Sequence, residues 1–435
     1  MTDKGRGRYP RWLALLAALG AVSVCGVVLT LFFALGRRPS ALNVTDMPAV
    51  QDEEFLVSLA GTAGAPLRVG GTVELLDNGD EFFPALLRDL RGARSTINIL
   101  VFIWEKGRAS DQVMAVLRER AGAGVQVRIL LDAYGGRDAP EKDMDALRER
   151  GGKVAYFRTP RLGKLTRFHK RTHRRALVVD GRIAYTGGMA IADKWLGHAE
   201  SEEHWRDSMV RVTGPPAAAI QSAFAAPWAH SAGEILVGER FYPPLEDARG
   251  PGAIRTVGVM SAPTSDHHPL RLLFMQTFLA ARRTLYITTP YFVPDRVTRE
   301  AVAQKARSGV DVRILLPDEH TDAMPIRQTT HSYLGELLEA GVRAYEYQPT
   351  MMHTKHVVVD GVWSVVGSPN MDIRSKELNE ENVLCVLDPA LGARLDEDFR
   401  RDLARSEEIT LDKWRRRGWA KRIVERGFRL FAEQY

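Results

Sequence analysis

The chain has 435 residues, of which 26% are charged and 45% hydrophobic, and its formal net charge is +6. This composition is that of a globular protein with two or three domain-sized units, and with only two cysteines it excludes a disordered chain, a polytopic membrane protein, a disulfide scaffold and a cysteine-ligated zinc site. Basic residues concentrate in residues 1–11 and 411–435 around a slightly acidic body, which favours an anionic membrane surface over nucleic acid as a partner.

Residues 1–40 are predicted to form a basic tail followed by a transmembrane helix. Residues 12–35 carry no charge and exceed the roughly 20 residues that span a bilayer. A secretory signal peptide is the alternative, but it has a shorter apolar core and a small-residue cleavage site that is not evident here. Basic residues are more numerous before this run than after it, which predicts a single-pass protein of the cell membrane with its body on the extracytoplasmic side. Residues 41–70 are expected to be a linker.

The body of the chain contains an internal repeat. Residues 124–132 read GVQVRILLD and residues 309–317 read GVDVRILLP, at an offset of 185. The sequence VVDG occurs at residues 178–181 and again at residues 358–361, at an offset of 180. Two tandem copies of one supersecondary unit predict a pseudo-two-fold particle with a site where the copies meet.

The predicted elements recur in the same order in both copies, which we assign to residues 71–250 and 251–410. Each copy is predicted to contain a strand, a helix, a strand, a helix, a strand and a strand–turn. The predicted bounds are 97–104, 111–121, 125–131, 142–150, 153–157 and 176–188 in the first copy, and 285–292, 297–308, 310–316, 327–340, 342–347 and 357–367 in the second. Strands alternating with helices predict an α/β fold in which each copy is a mixed, substantially parallel sheet flanked by helices.

Each copy places a histidine, a cation and an aspartate around its VVDG strand. The sets are His173, Arg175 and Asp180 in the first copy, and His353, Lys355 and Asp360 in the second. Because residues two apart on a strand share a face, one imidazole and one cation from each copy are predicted to converge across the pseudo-two-fold. Such a site suits a phosphodiester: the cations neutralise its oxygens, one imidazole attacks phosphorus, and the other protonates the leaving oxygen. This chemistry requires no metal and no other cofactor.

The spacing His-x-Lys-x4-Asp resembles the HKD motif of the phospholipase D superfamily. The resemblance covers about residues 70–400 and is closest to bacterial cardiolipin synthases and their phospholipase D-like relatives. Its supporting stretches are LLDNGDEFFPALL, RTHRRALVVDGRIAYTGG, HWRDSMVRVTGP, GSPNMDIRS and LNEEN. The resemblance implies a membrane-anchored phosphatidyltransferase that makes cardiolipin from two phosphatidylglycerol molecules, releasing glycerol, through a phosphohistidine.

The resemblance also implies roles for individual residues. His173 is expected to be the nucleophile and His353 the general acid and base, with the reverse assignment open. Asp207 and Glu381 match acidic residues that orient the histidine of the other copy, where a carboxylate would fix the imidazole tautomer.

Four further residues complete the candidate set. Asn370 and Ser368 are expected to bind the substrate, with Asn370 donating to a phosphate oxygen. Asp180 and Asp360 belong to the motif and are included with the catalytic residues, although we expect them to act in the turn after the strand.

Two departures from the family pattern leave alternatives open. Arg175 stands where the family has lysine, and Ala190 stands where the second copy has Asn370. The cation survives, but its geometry changes, so an active and asymmetric site is predicted and a catalytically impaired lipid-binding protein is one alternative. A phospholipase D that uses water as the acceptor is a second, because the motifs do not distinguish water from an alcohol. A nuclease of the same superfamily is a third, and the slightly acidic body argues against it.

Two basic stretches are predicted to attract lipid. Residues 158–175 contain eight basic residues and no acidic one, so they either draw in anionic head groups or form a solvated loop. Residues 411–435 combine basic residues with Trp and Phe, which is typical of an interfacial helix, although a helix packed on the body fits equally well. The predicted partners are phosphatidylglycerol and an anionic membrane surface, with no nucleic acid expected.

Overall fold

The computed structural model describes residues 46–159, 170–245, 252–263 and 268–429, together with residue 250 and isolated positions before residue 45. The chain divides into two units, Met1–Thr45 and Asp46–Tyr435. Within the described residues no helix has the length and the apolar character needed to cross a bilayer. The transmembrane helix predicted over residues 12–35 lies almost wholly outside those residues and stays a prediction.

Two repeats of alternating strands and helices form the larger unit. Before them lie α1 (Glu53–Ala63) and β1 (Leu67–Val69). The first repeat contains β2 (Thr72–Asp77), α2 (Asn78–Gly92), β3 (Thr96–Val101), α3 (Arg108–Gly122), β4 (Gln126–Asp132), α4 (Glu141–Glu149), β5 (Lys153–Phe157), β6 (Ala176–Val179), β7 (Ile183–Gly187), β8 (Ser208–Thr213) and α5 (Ala217–Ala232).

The second repeat follows the same order with additional short elements. It contains β9 (Arg255–Ser261), α6 (Pro269–Ala280), β10 (Thr284–Thr288), β11 (Phe292–Val293), α7 (Arg296–Arg307), β12 (Asp311–Pro317), α8 (Met324–Glu339), β13 (Arg343–Tyr347), β14 (His356–Val359), β15 (Trp363–Gly367), β16 (Met371–Asp372), α9 (Ile373–Glu377), β17 (Glu381–Leu387), α10 (Pro389–Leu403) and β18 (Ser406–Ile409). Helices α11 (Leu411–Arg416) and α12 (Trp419–Arg429) end the described chain.

Each repeat is built on one mixed sheet. The strand order is β2-β8-β7-β6-β3-β4-β5 in the first and β1-β9-β17-β15-β14-β10-β12-β13-β18 in the second. Only β3-β4-β5 and β10-β12-β13 pair in parallel among the described strands of these sheets, so the expectation of substantially parallel sheets was wrong. The reason is local, because β6–β7 and β14–β15 are hairpins closed by tight Asp-Gly turns, which force antiparallel pairing.

The central strands explain why the repeat is visible in the sequence. Every residue of β3 is buried, as are most residues of β4 and β12, because helices cover one face of each sheet and the other repeat covers the opposite face. Strands covered on both faces appear as continuous apolar runs. One apolar cluster joins the sheets: Val178 of the first repeat and Val358 of the second both belong to it, and each occupies the same place in its VVDG strand.

Residues 41–70, predicted to be a linker, contain a helix and a strand that pack on the second repeat. Strand β1 pairs antiparallel with β9. On α1, Phe55, Leu56 and Leu59 are buried, and the Phe55 ring meets the Trp363 ring edge-on at 5.1 Å. The chain preceding the first repeat therefore packs on the second.

The C-terminal helices pack on α8 and leave apolar residues outside. The Trp414 indole N–H donates to the His331 carbonyl at 2.9 Å, and Arg417 stacks on the Trp414 ring at 3.5 Å. Trp419 is 76% exposed and Ile423 is 61% exposed, so α12 contacts the body through its opposite face. Packing on the body is present, and the interfacial role of the tail stays a prediction. Residues 430–435 lie outside the described residues.

Candidate active site

Two extended segments carry the motif histidines to the contact between the repeats. Short parallel bridges join Thr172 to Glu380 and Arg206 to Met352. The backbone N–H of His173 donates to the Glu380 carbonyl at 2.8 Å, and that of His353 donates to the Arg206 carbonyl, also at 2.8 Å. Each histidine is therefore held by the residue that precedes the candidate orienting acid of the other repeat.

The candidate orienting acids reach across the repeats. Glu381 Oε2 lies 3.1 Å from His173 Nδ1, and Asp207 Oδ2 lies 2.6 Å from His353 Nδ1. Both carboxylates are fully buried. A carboxylate at Nδ1 selects the tautomer with its proton on Nδ1 and leaves Nε2 as the reactive nitrogen, and it stabilises the imidazolium when that forms.

The two acids are supported in different ways. Asp207 accepts from the Trp195 indole N–H at 2.9 Å and from the Ser208 backbone N–H at 2.8 Å. Glu381 accepts from the Ser368 hydroxyl at 2.5 Å. Ser368 is expected to bind substrate, and that role stays a prediction, with its hydroxyl in contact with Glu381 in this structure.

Gly188 stands in the first repeat where Ser368 stands in the second, and it makes room for Asp207. A Cβ at Gly188 would lie 2.2 Å from Asp207 Oδ1 and 2.6 Å from Oδ2. We predict that Gly188→Ala displaces the carboxylate, and with it the His353 imidazole, and lowers kcat at least about tenfold, because small misplacements of reacting groups are costly. Gly122→Ala is the control, since no atom lies within 4 Å of its Cβ position. Equal kcat in the two variants would contradict this positioning.

The two cations lie against the histidines of their own repeats, as the alternation along the strand predicted. Lys355 Nζ lies 3.1 Å from both ring nitrogens of His353 and donates to the His353 carbonyl at 2.7 Å. Arg175 donates through Nη1 to the His173 carbonyl at 2.5 Å. Its Nε and Nη2 are buried and find no hydrogen-bond partner within the described residues, so they are available to an anion.

Burial and the two cations keep both imidazoles neutral. Burial, followed by the charge of Arg175, lowers the pKa of His173 to about 4. Burial, followed by Lys355, holds the pKa of His353 well below its ordinary value. Burial also lowers the pKa of Lys355 to about 7 and that of Arg175 to about 10. A neutral imidazole is a nucleophile or a base, so the geometry provides two candidate groups for attack on phosphorus.

The pKa values of the two orienting carboxylates shift in opposite directions, because their surroundings differ. Burial raises the pKa of Asp207 to about 6. For Glu381 burial also acts upward, but the contacts with His173 and Ser368 outweigh it and lower the pKa. The two halves of the site are therefore electrostatically unequal.

The carboxylates of Asp180 and Asp360 accept hydrogen bonds within their own repeats. Each adopts a left-handed backbone conformation, with φ of 52° and 54° respectively, at the turn after its strand. The Asp180 carboxylate accepts from the backbone N–H groups of residues 94–96, and the Asp360 carboxylate accepts from those of residues 282–284. These contacts join the hairpin turn to the neighbouring strand and do not involve either imidazole.

Asn370 is buried in the turn that follows Ser368. Its amide oxygen has no hydrogen-bond partner within the described residues, and its backbone N–H donates to the Ser375 hydroxyl at 3.1 Å. The corresponding Ala190 is fully buried and offers no polar group. The side-chain amide is thus confined to one half of the site.

Three aromatic rings outside the motifs pack against the motif histidines, and one buried arginine lies beneath Asp207. The His353 ring lies 5.5 Å from Trp195 and 5.1 Å from Trp205, and the His173 ring lies 5.1 Å from Phe102. No sequence motif marks Trp195, because its role depends on the folded position of Asp207.

Arg206 is the buried arginine. Its side chain donates to Asp77 at 3.0 Å and to Asp402 at 3.0 Å, and so joins the two repeats beneath Asp207. Within the described residues no group of three or more His, Cys, Asp or Glu side chains is arranged to hold a metal.

Comparison with known proteins agrees with this geometry. The family model described as "Cardiolipin synthase, PLD-like domain" matches residues 86–228 and 274–403. A cardiolipin synthase of Listeria welshimeri is 32% identical over 388 residues, which is 88% of this chain and 80% of that protein. The chain belongs to the cardiolipin synthase family. Cardiolipin synthase A of Cronobacter sakazakii is 32% identical over 83% of this chain and 75% of that protein.

A solved structure extends the likeness to the fold. Phosphatidylserine synthase of Haemophilus influenzae superposes with a TM-score of 0.68 at 16% identity, covering 87% of this chain and 97% of that chain. The cardiolipin synthase family member described here therefore has the phospholipase D-like fold with two repeats, as its sequence predicted.

Proposed function

We propose that the protein is a phosphatidyltransferase that makes cardiolipin from two molecules of phosphatidylglycerol. The observation that carries the proposal is the crossed arrangement of the site: each neutral imidazole contacts a carboxylate of the other repeat, and a cation lies beside it. Family membership supports the choice of lipid, since curated relatives of similar length carry the name cardiolipin synthase.

In the first proposed step, His173 Nε2 attacks phosphorus and the bond from phosphorus to the glycerol oxygen breaks. His353 gives its proton to that oxygen, so glycerol leaves and a phosphatidyl-histidine remains. Arg175 and Lys355 neutralise the non-bridging oxygens, and Asn370 donates to one of them. Burial, together with the charges of Lys355 and Arg175, holds the pKa of His353 down; the anion, on binding, offsets the two charges, so His353 takes up its proton as substrate arrives.

In the second proposed step, a hydroxyl of another phosphatidylglycerol attacks the phosphatidyl-histidine. His353 takes the hydroxyl proton, the phosphorus–nitrogen bond breaks, and cardiolipin forms with His173 restored. Water in place of the hydroxyl gives phosphatidic acid.

The contacts support His353 as the acid and base. Its 2.6 Å contact with Asp207 is shorter than the 3.1 Å contact of His173 with Glu381. A closer carboxylate stabilises an imidazolium more strongly, which suits the residue that carries the proton.

Lys355 predicts an alkaline limb in the pH profile. Because its pKa is lowered to about 7, the ammonium is present below that pH and is lost as the pH rises through it, so kcat/KM is expected to fall above about pH 7. Lys355→Arg keeps the cation at all accessible pH values and should remove the limb up to about pH 9. Arg175 holds the equivalent place in the first repeat, which supports the choice of arginine for this variant. A limb that persists unchanged in Lys355→Arg would contradict the assignment.

The proposed place of action is an anionic cell membrane, with the body on its extracytoplasmic side. The charge-free run over residues 12–35 supports a membrane anchor. Helix α12 supports a second attachment, because Trp419 and Ile423 are exposed beside the basic side chains of Arg422 and Arg426.

Product analysis tests the proposed function. The purified full chain would be incubated with phosphatidylglycerol vesicles, and the lipids and glycerol measured by mass spectrometry. Cardiolipin and glycerol in equal amounts are expected. Phosphatidic acid without cardiolipin would assign hydrolysis instead, and turnover of neither lipid would contradict the proposal.

A further inference from the structure

A tyrosine and a carboxylate outside the motifs form a hydrogen-bonded pair in the second repeat. The Tyr291 hydroxyl donates to Asp322 Oδ1 at 2.6 Å. Tyr291 lies between β10 and β11, and its carbonyl accepts from the Met371 backbone N–H at 3.1 Å, directly after Asn370. The phenol is thus anchored beside the turn that carries Ser368 and Asn370.

The pair lies within electrostatic reach of both cations. The charge of Asp322 acts on Lys355, and Tyr291 interacts with Arg175. Burial and the contact with Asp322 raise the pKa of the Tyr291 phenol well above its ordinary value. The phenol therefore stays protonated, and its hydroxyl is held as a donor to Asp322.

The exposed Asp322 carboxylate repels the anionic phosphodiester, but it suits the alcohol that accepts the phosphatidyl group in the proposed reaction. Phosphate oxygens are acceptors and anionic, so a carboxylate repels them, whereas a carboxylate accepts hydrogen bonds from alcohol hydroxyls. Both Oδ2 of Asp322 and the remaining lone pair of the Tyr291 oxygen are acceptors. A glycerol head group presents two hydroxyl donors that match them.

The surroundings of this carboxylate differ between the two halves of the molecule. At the offset of 185 that relates β12 to β4, the position of Asp322 corresponds to Arg137, which stacks on the Tyr134 ring at 4.7 Å and pairs with the neighbouring Asp138 at 3.3 Å. The loop after β4 therefore presents a carboxylate held by a cation, whereas the loop after β12 presents a carboxylate held by a neutral phenol.

We propose that Asp322 and Tyr291 bind the glycerol hydroxyls of the acceptor lipid and so direct the phosphatidyl group to an alcohol instead of water. The inference rests on the proposed function, since it concerns the acceptor in the second step. It assigns specificity to two side chains that belong to no part of the HKD motif.

The experiment compares products from vesicles of phosphatidylglycerol with wild type, Asp322→Asn and Tyr291→Phe. The ratio of cardiolipin to phosphatidic acid is expected to fall about tenfold in Asp322→Asn, because a site built to bind a hydroxyl loses its discrimination when that bond is weakened. Total consumption of phosphatidylglycerol is expected to fall as well, because the donor's glycerol leaves from the position that the acceptor's glycerol then occupies, so the product ratio is the readout that isolates the second step. Glu319→Gln, an exposed carboxylate in the same loop, is the control and should keep the wild-type ratio.

The outcomes separate the two proposals. An unchanged product ratio in Asp322→Asn, or an equal change in Glu319→Gln, would overturn the acceptor assignment and leave the proposed function intact. A wild type that makes only phosphatidic acid would remove the proposed function and, with it, the acceptor assignment. Tyr291→Phe is expected to shift the ratio in the same direction as Asp322→Asn by a smaller factor.

Discussion

Replacement of His173 by alanine is expected to lower cardiolipin formation at least about 10⁴-fold, because the attacking atom is removed and the remaining groups cannot act without it. The site predicts this loss from geometry: Arg175 and Lys355 bind the phosphodiester, but neither is a nucleophile while it carries its proton. Measurement of initial rates with phosphatidylglycerol vesicles checks the expectation. His198→Ala is the control, since that imidazole is 68% exposed in the same repeat.

His353→Ala is expected to be equally inactive on phosphatidylglycerol and to differ on an activated substrate. A phosphatidyl ester of nitrophenol needs no proton on its leaving oxygen, so a burst of about one nitrophenol per active site should appear in His353→Ala and not in His173→Ala, while the second step, which uses His353 as a base, stays slow. Recovery in His173→Ala alone would reverse the assignment of nucleophile and acid. Activity above about 10% of wild type in both variants would place the chemistry elsewhere.

Asp207→Asn is the second substitution with a large expected effect, a loss of about 10²–10⁴ in kcat. The amide preserves the size of the side chain, so the fold is expected to hold, but an amide nitrogen placed at the Oδ2 position gives up the hydrogen bond from the Trp195 indole, which uses the same oxygen as His353. It removes the charge 2.6 Å from His353 Nδ1, and an amide N–H facing that nitrogen favours the tautomer with the proton on Nε2. The imidazole would then present a proton where the incoming hydroxyl needs a base.

Glu381→Gln makes the same change in the other half and is expected to lower kcat by about 10²-fold. The smaller figure follows from the longer contact with His173, 3.1 Å, and from the neutral state that a nucleophile needs at rest. Asp138→Asn, an exposed carboxylate, is the control. Thermal unfolding by circular dichroism separates loss of activity from loss of fold. Wild-type kcat in a folded Asp207→Asn protein would contradict the orienting role.

The two repeats were predictable because their central strands are covered on both faces. Burial of six of the seven residues of β4 requires an apolar run, and the burial of most of β12 reproduces that run at an offset of 185. The motif spacing then placed His173 and His353 at equivalent points of two equivalent sheets, so their convergence followed from symmetry.

Other features depend on contacts that no local pattern encodes. The face of α1 formed by Phe55, Leu56 and Leu59 predicts a helix that needs a partner, but the partner sheet lies in the second repeat, far along the chain. Ser368 carries a hydroxyl that suits a phosphate as well as a carboxylate, and only the folded structure places Glu381 within its reach. The antiparallel pairing of β6 and β7 could have been predicted from the sequence, because Asp-Gly between two apolar runs is a hairpin signal.

The covalent intermediate is the most direct test of the account. Wild-type protein would be mixed with phosphatidylglycerol, quenched within one turnover at alkaline pH, where a phosphorus–nitrogen bond to histidine survives, and digested for peptide mass spectrometry. The account predicts a phosphatidyl group on the peptide that contains His173 in wild type and none in His173→Ala. Absence of the adduct in protein that is turning over, or its presence on the peptide that contains His353, would contradict it.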